Sequence, residues 1–144
     1  MINLEPAPRF RRMESAMPQL LRAFSALTRA HVYFQAAGAL KTMSVSDVLD
    51  NGSIEATFQG VRIKFEMLPV FAPDRSARGR LVVIHCHCTY GQPVQATLGA
   101  FTYDEEGVTD LAPDAEGMHP SLYRDGPAIV LHFLDAAFAA NRSL

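Results

Sequence analysis

The stretch from Leu81 to Asp104 constrains the fold more than any other part of the chain. Its sequence, LVVIHCHCTYGQPVQATLGAFTYD, indicates two long strands that fold back on each other. A two-residue loop at Gly91-Gln92 would require an N–H group at residue 93, and Pro93 has none. The sequence therefore predicts a four-residue loop, Tyr90 to Pro93.

Both faces of this hairpin are rich in apolar residues. With either loop, Cys88 is expected opposite Gln95 and Cys86 opposite Thr97. One face is then predicted to carry Leu81, Val83, His85, His87, Val94, Ala96, Leu98 and Ala100, and the other Val82, Ile84, Cys86, Cys88, Tyr90, Gln95, Thr97, Phe101 and Tyr103. A strand pair that is apolar on both sides belongs at the centre of a sheet, or against a partner.

A second hairpin is predicted between residues 54 and 67, where apolar and polar residues alternate on both sides of Gln59-Gly60. A two-residue turn there pairs Phe58 with Val61, Ala56 with Ile63 and Glu55 with Lys64. One face is therefore buried and the other solvated, which is typical of an antiparallel sheet.

Helices are predicted at the two ends of the chain. Residues 1–13 contain two prolines and read as a loose N-terminal arm. A helix with Ser15 as its N-cap is expected to run to Gly38, and a nearly all-apolar helix is expected from Pro127 to Asn141. His31 lies on the apolar stripe of the first helix, where a hydrogen-bonded core histidine is expected.

The segments between these elements are less regular. Residues 44–50 fit either a helical turn or an edge strand, and residues 69–80 read as an exposed basic loop because they hold two prolines and a glycine. Residues 108–111 could add a fifth strand, and residues 112–126 form a long acidic connection.

Together these patterns predict an α+β fold: an antiparallel meander of four to five strands with the N-terminal and C-terminal helices packed on the sheet. Residues 14–144 are expected to form one domain, since a chain of 144 residues supports a single core. The chain shows neither an apolar run of the roughly 20 residues that a membrane span needs nor a signal peptide. Two cysteines without an export signal favour a reducing cytoplasm.

Charge is distributed unevenly along the chain, although the net charge is only −2. Residues 1–42 hold six basic and two acidic side chains, whereas residues 104–125 hold seven acidic side chains and one arginine. The basic clusters are modest and lack interleaved aromatic residues, so nucleic-acid binding is not expected. Contacts with another protein, including a second copy, fit this distribution better.

His85 and His87 are the residues most suited to a metal. Alternate residues of a strand share a face, and a zinc site would need a third ligand such as His132 or His119. Cys86 and Cys88 point to the opposite face, so the four residues cannot surround one ion, and both cysteines are interpreted as buried free thiols. A metal-dependent or small-ligand-binding enzyme that uses the histidine pair is the alternative function.

Catalytic sequence motifs are absent: no phosphate loop, H-E-x-x-H, G-x-S-x-G or calcium loop occurs. The leading hypothesis is a non-enzymatic cytoplasmic protein-binding module without a cofactor, acting as a homodimer. The order of helix, strands and helix resembles the architecture of small secretion chaperones, immunity proteins and inhibitors of host defence, which suggests an adaptor or inhibitor. The residues expected to contact the partner are Val32, Tyr33, Asp104, Glu105, Glu106, Asp114, Glu116 and Tyr123.

Overall fold

A computed structural model describes residues 2–38 and 40–141 and confirms the α+β fold. The chain begins with α1 (Ala7–Ser25), which continues through a 3-10 turn (Ala26–Thr28) into α2 (Arg29–Ala37). Five strands follow, and α3 ends the order: β1 (Ser44–Val45), β2 (Ile54–Phe58), β3 (Val61–Phe71), β4 (Ala77–Thr89), β5 (Gln92–Tyr103) and α3 (Gly126–Ala140).

The strands form one antiparallel sheet in the order β1-β2-β3-β4-β5. The predicted hairpin at residues 54–67 is confirmed with its register, since Ala56 pairs with Ile63 and Phe58 with Val61. The fifth strand is β1 rather than residues 108–111, which contribute only two isolated bridges. Residues 44–50 thus supply a short edge strand.

The core lies between one face of the sheet and the helices. Buried sheet residues such as Ile63, Phe65 and Leu81 meet Leu20 and Phe24 of α1, together with apolar residues of α3. On the opposite face of the sheet, Val82, Ile84 and Cys86 are only half-buried, and no described helix covers them. Among the described helices, none combines the length and apolarity required to cross a bilayer.

Helix α1 begins at Ala7, so the prediction of a loose arm before Ser15 was wrong for residues 7–13. Pro6 occupies the N-cap position and Pro8 lies in the first turn, where a missing N–H costs no helical hydrogen bond. Contacts with β3 also hold this turn, because Phe10 packs edge-on against Phe71 with ring centroids 5.9 Å apart. The Arg9 guanidinium lies 4.8 Å from the centre of the same Phe71 ring.

The predicted basic loop at residues 69–80 was also wrong, because most of it belongs to strands β3 and β4. Pro69 pairs with Gly79 across these strands. β2 pairs with β3 only as far as Phe65, so Pro69 lies where β3 has no neighbour on its other side. A proline is tolerated in a strand at such an edge position.

The turn between β4 and β5 contains two residues, Tyr90 and Gly91, and not the predicted four. Both have positive φ, 53° and 76°, as a type I′ turn requires. The prediction went wrong because it centred the two-residue alternative one position too late. Pro93 pairs with Cys88, and Gln95 with Cys86.

A β-bulge in β5 alters the predicted faces of the long hairpin. Val83 pairs with Gly99 while Ile84 pairs with Thr97, so Leu98 is an extra residue in β5. The bulge reverses the alternation, and Phe101 and Tyr103 therefore join Leu81 and Val83 on the core face. The prediction that these two aromatic residues lie on the opposite face was therefore wrong, because regular alternation does not include the bulge.

The β1 edge of the sheet is short and closed. Strand β1 has two residues, and the N–H of Val45 donates to Nδ1 of His31 at 3.1 Å. This contact confirms His31 as a histidine satisfied within the fold. The next residue, Ser46, donates its N–H to the carbonyl oxygen of Glu55 at 2.8 Å.

Candidate functional site

The outer edge of β5, opposite the edge that pairs with β4, is closed at one end. Asp110 bonds to both backbone groups of Thr102, as a residue of a sixth strand would. Its Oδ1 accepts the N–H of Thr102 at 2.9 Å, and its own N–H donates to the carbonyl oxygen of Thr102 at 3.0 Å. Oδ2 of Asp110 accepts the Thr102 hydroxyl at 3.1 Å. We call residues 101–103 the root of β5.

The other end of β5 is open. Residues 92–97, which we call the tip, are exposed, and in the part of the chain that the structure describes no strand pairs with their outer edge. The residues of the tip on the core-side face, Val94 and Ala96, are exposed to solvent in the described chain. The sheet thus presents a row of backbone groups without a strand neighbour.

The direction of these backbone groups follows from the turn. Thr89 and Gln92 flank the two-residue turn and form a hydrogen-bonded pair, after which bonded and non-bonded pairs alternate along the ladder. Ala96 therefore bonds to β4, whereas the N–H and C=O groups of Gln95 and Thr97 point away from β4. The backbone groups of Pro93 also point away from β4. Its missing N–H therefore removes no hydrogen bond to β4.

The tip lacks the charged residues that ordinarily keep edge strands apart. No Lys, Arg, Asp or Glu occurs between Leu81 and Tyr103, so both strands of the hairpin are free of them over this length. This absence is the sequence signal that could have identified the edge. Alternation along the two strands predicts the faces of the hairpin but not which edge is open.

His85 and His87 lie on the core-side face of β4, next to the tip. Their ring centroids are 4.8 Å apart, and His85 is only 3 % exposed. Burial lowers the pKa of His85, and the neighbouring His87 lowers it further. Nδ1 of His87 is buried and has no hydrogen-bond partner among the described residues. A groove of about 930 Å³ runs past both rings to Asn141 at the end of α3.

The described residues do not complete a metal site around this pair. No group of three His, Cys, Asp or Glu side chains converges within residues 2–38 and 40–141. His132 lines a different groove of about 550 Å³, together with Leu111 and Met118. His119 is engaged elsewhere, because its Nδ1 lies 2.7 Å from the carbonyl oxygen of Leu111.

The two cysteines are free, as predicted, but they are not both buried. Cys86 is half-buried and Cys88 is exposed, on the face of the sheet that no described helix covers. Both occupy the face of β4 opposite the histidines, as alternation along a strand requires.

Much of the acidic segment, residues 104–125, serves to hold its own turns. Carboxylate oxygens of Asp104, Asp114 and Asp125 each accept backbone N–H groups within the segment. A hydrogen bond from Arg124 lowers the pKa of Asp125. The negative charge in this segment therefore has a structural explanation that does not require a partner.

The residues predicted to contact a partner are distributed over several surfaces. Val32 and Tyr33 are exposed on α2, and Tyr123 packs under Arg29, with the guanidinium 5.9 Å from the ring centre. Asp104 and Glu105 share a groove with Arg11 and Arg12 of α1. Basic and acidic segments thus face each other within one chain.

The other acidic residues of the predicted set are exposed but do not form one site. They lie at two turns of the acidic segment: Glu106 precedes Gly107, while Asp114 and Glu116 precede Gly117.

Comparisons with protein-family models, with curated proteins and with solved structures found no match to this chain.

Proposed function

We propose that this chain is a non-enzymatic protein-binding module that works in the cytoplasm and accepts an extended strand from another protein at the tip of β5. The observation that carries the proposal is the open, uncharged outer edge of residues 92–97. Edge strands of this kind bind partners by β-augmentation, in which main-chain hydrogen bonds supply the affinity.

The side chains around the tip favour a particular kind of strand. Val94 and Ala96 flank one face of the edge, and Gln95 and Thr97 flank the other. A bound strand with apolar residues on the first face and hydroxyl or amide residues on the second would match both. The partner is therefore expected to present an alternating, uncharged segment.

The cytoplasmic part of the proposal is supported by the cysteines. Cys88 is an exposed free thiol on the strand that pairs with β5, and Cys86 lies two residues away on the same face. Exposed free thiols persist in compartments where glutathione and thioredoxin keep them reduced.

Selection from a library of random displayed peptides tests the proposed edge. Wild-type protein should enrich alternating uncharged sequences, and the double variant Gln95→Pro/Thr97→Pro should no longer bind them, because it lacks the two outward N–H groups. The matched control Gln95→Ala/Thr97→Ala keeps both N–H groups and should bind. Enriched peptides that bind the proline variant equally well would refute the edge as the binding site.

A second candidate is a small-ligand or metal site at His85 and His87, favoured by the buried Nδ1 of His87, which has no hydrogen-bond partner among the described residues and lies beside a groove. Titration with Zn²⁺ followed by calorimetry tests it, with His85→Ala/His87→Ala as the variant and His132→Ala as the control. Binding of one ion per chain that only the first variant abolishes would support this candidate. Equal binding by all three proteins would exclude it.

A further inference from the structure

We propose that the strand added at the tip of β5 is β5 of a second copy of this chain, with a two-fold axis at Ala96. This inference rests on the proposed function and adds the identity of the partner. In an antiparallel pair centred on Ala96, Gln95 of each copy lies opposite Thr97 of the other, so both outward-pointing residues of the tip are paired.

The hydrogen bonds of such a pair follow from the register. Gln95 and Thr97 of the second copy would exchange two N–H···O bonds, and symmetry generates two more. The segment is bounded on both sides: Pro93 provides no N–H at one end, and the bulge at Leu98 interrupts the regular ladder at the other. These limits fix the register to the few residues around Ala96.

The side chains near the axis are compatible with close approach. Ala96 would face its own copy in a non-hydrogen-bonded pair, where strands come closest and a methyl group fits readily. The same register places Val94 of one copy opposite Leu98 of the other. Val94 is 37 % exposed and Leu98 is half-buried in the described chain, so this contact would cover apolar surface that is now open to water.

The charge distribution favours a second copy over an unrelated strand. A two-fold axis brings each residue close to its symmetry mate, so any charge near the axis would meet a like charge. The hairpin contains no Lys, Arg, Asp or Glu between Leu81 and Tyr103, while charged residues occur on both sides of it in the sequence. If the partner were an unrelated, charged protein, residues of the opposite charge in the hairpin would increase its affinity.

Disulfide trapping tests the register directly, in a Cys86→Ser/Cys88→Ser background. Cα atoms of a non-hydrogen-bonded pair lie about 4.5 Å apart, within the range that a disulfide bridges, so Ala96→Cys should form covalent dimers under mild oxidation. Val94→Cys is the matched control on the same strand, because its symmetry mates would be about 13 Å apart. We expect about tenfold more disulfide dimer from Ala96→Cys, and equal yields would overturn the inference.

Light scattering coupled to size exclusion gives an independent measurement. Wild-type protein should elute with about twice the chain mass of 15.8 kDa, and Gln95→Pro/Thr97→Pro should elute as a monomer. Gln95→Ala/Thr97→Ala, which loses the two side chains but keeps both N–H groups, should dimerise more strongly than the proline variant. Circular dichroism checks that the proline variant is folded. If it is not, the disulfide yields decide.

The two proposals fail in different ways. A wild-type monomer whose Ala96→Cys variant does not cross-link overturns the second copy as partner, while peptides that need the Gln95 and Thr97 N–H groups would still support strand binding at this edge. A dimer that the proline substitutions leave intact overturns the β5 pairing, because the copies must then meet elsewhere. Peptide selection remains the separate criterion for the proposed function.

Discussion

The two ends of β5 are built in opposite ways, although they belong to one continuous strand. At the root, Phe101 stacks on Phe133 of α3 with centroids 5.7 Å apart, and Tyr103 donates a hydrogen bond from its hydroxyl to the carbonyl oxygen of Leu20 at 2.8 Å. Asp110 closes the outer edge beside the root. At the tip, no helix covers the strand and no described residue closes its edge.

Under the proposed function, this difference separates stability from recognition along one strand. Phe101 and Tyr103 of the root are buried and contact α3 and α1, so substitutions there should change the free energy of unfolding. Residues of the tip contact mainly β4, so substitutions there should change association and leave stability nearly constant. Each of the following substitutions tests this difference between the root and the tip of β5.

The largest effect is expected from Phe101→Ala. Its ring is 4 % exposed and packs against Phe133, so truncation should lower the free energy of unfolding by about 3–5 kcal/mol. The tip counterpart, Val94→Ala, should cost no more than about 0.5 kcal/mol in the monomeric proline background. Urea denaturation measures both, and comparable losses would remove the distinction between root and tip.

Gly79→Ala should be the next most damaging substitution. Gly79 pairs with Tyr103, and a Cβ atom at this position would overlap the Tyr103 ring. Because the Tyr103 hydroxyl is held by Leu20, the ring cannot move aside without losing that bond, and a loss of about 1–3 kcal/mol is expected. Thermal melting measures it, with Gly91→Ala as a comparison that meets no neighbouring atom but requires positive φ.

Asp110→Ala should cost about 1–1.5 kcal/mol, because the carboxylate bonds to Thr102 are lost while the backbone contact can remain. It should also make the root resemble the tip by opening the outer edge beside Thr102. Amide hydrogen exchange at Thr102 tests this point: its N–H should exchange faster in the variant, with exchange at Phe65 as the internal control.

His85, which lies beside the tip, should make the free energy of unfolding depend on pH. Burial holds its pKa in the folded state below the ordinary value of 6.5, so the unfolded chain binds the proton more readily. The stabilising contribution of neutral His85 is therefore complete above about pH 6.5 and is lost as the pH falls below that value. Urea midpoints at pH 7.5 and 5.5 should differ less in His85→Gln than in wild type, and an unchanged difference would contradict this assignment.

The smallest effect on stability is expected from Gln95→Lys/Thr97→Lys. Both side chains are exposed, so the free energy of unfolding of the monomer should change by no more than about 0.5 kcal/mol. Association should be abolished, because four like charges would gather around the two-fold axis. Light scattering and denaturation on the same samples separate the two quantities.

The sequence was sufficient to predict the fold class and the register of the hairpin at residues 54–67, because its alternation and its Gln59-Gly60 turn agree with each other. It was insufficient where a local signal competed with tertiary context. Pro69 and Gly79 read as loop residues, but one lies at a free side of β3 and the other accommodates the ring of Tyr103. Neither circumstance is visible before the strands are paired.

The candidate edge was missed for a related reason. The faces of a strand follow from alternation, whereas an edge exists only once the strand order is known. The bulge at Leu98 lies next to Gly99, and an isolated glycine within a strand is a signal for a bulge that the prediction of the faces did not use. The absence of Lys, Arg, Asp and Glu from Leu81 to Tyr103 is visible in the sequence alone. Its meaning depended on β5 being the last strand of the sheet.

The short β1 strand limits how far assembly can proceed. If two sheets join through β5, the outermost strands of the resulting ten-stranded sheet are two copies of β1, each only Ser44–Val45 long, and the outer side of β3 beyond Phe65 carries Pro69. His31 already occupies the Val45 N–H and Pro69 has no N–H, so both margins are poor templates for a third molecule. Growth of the proposed assembly would therefore stop at a closed pair instead of continuing into a fibril.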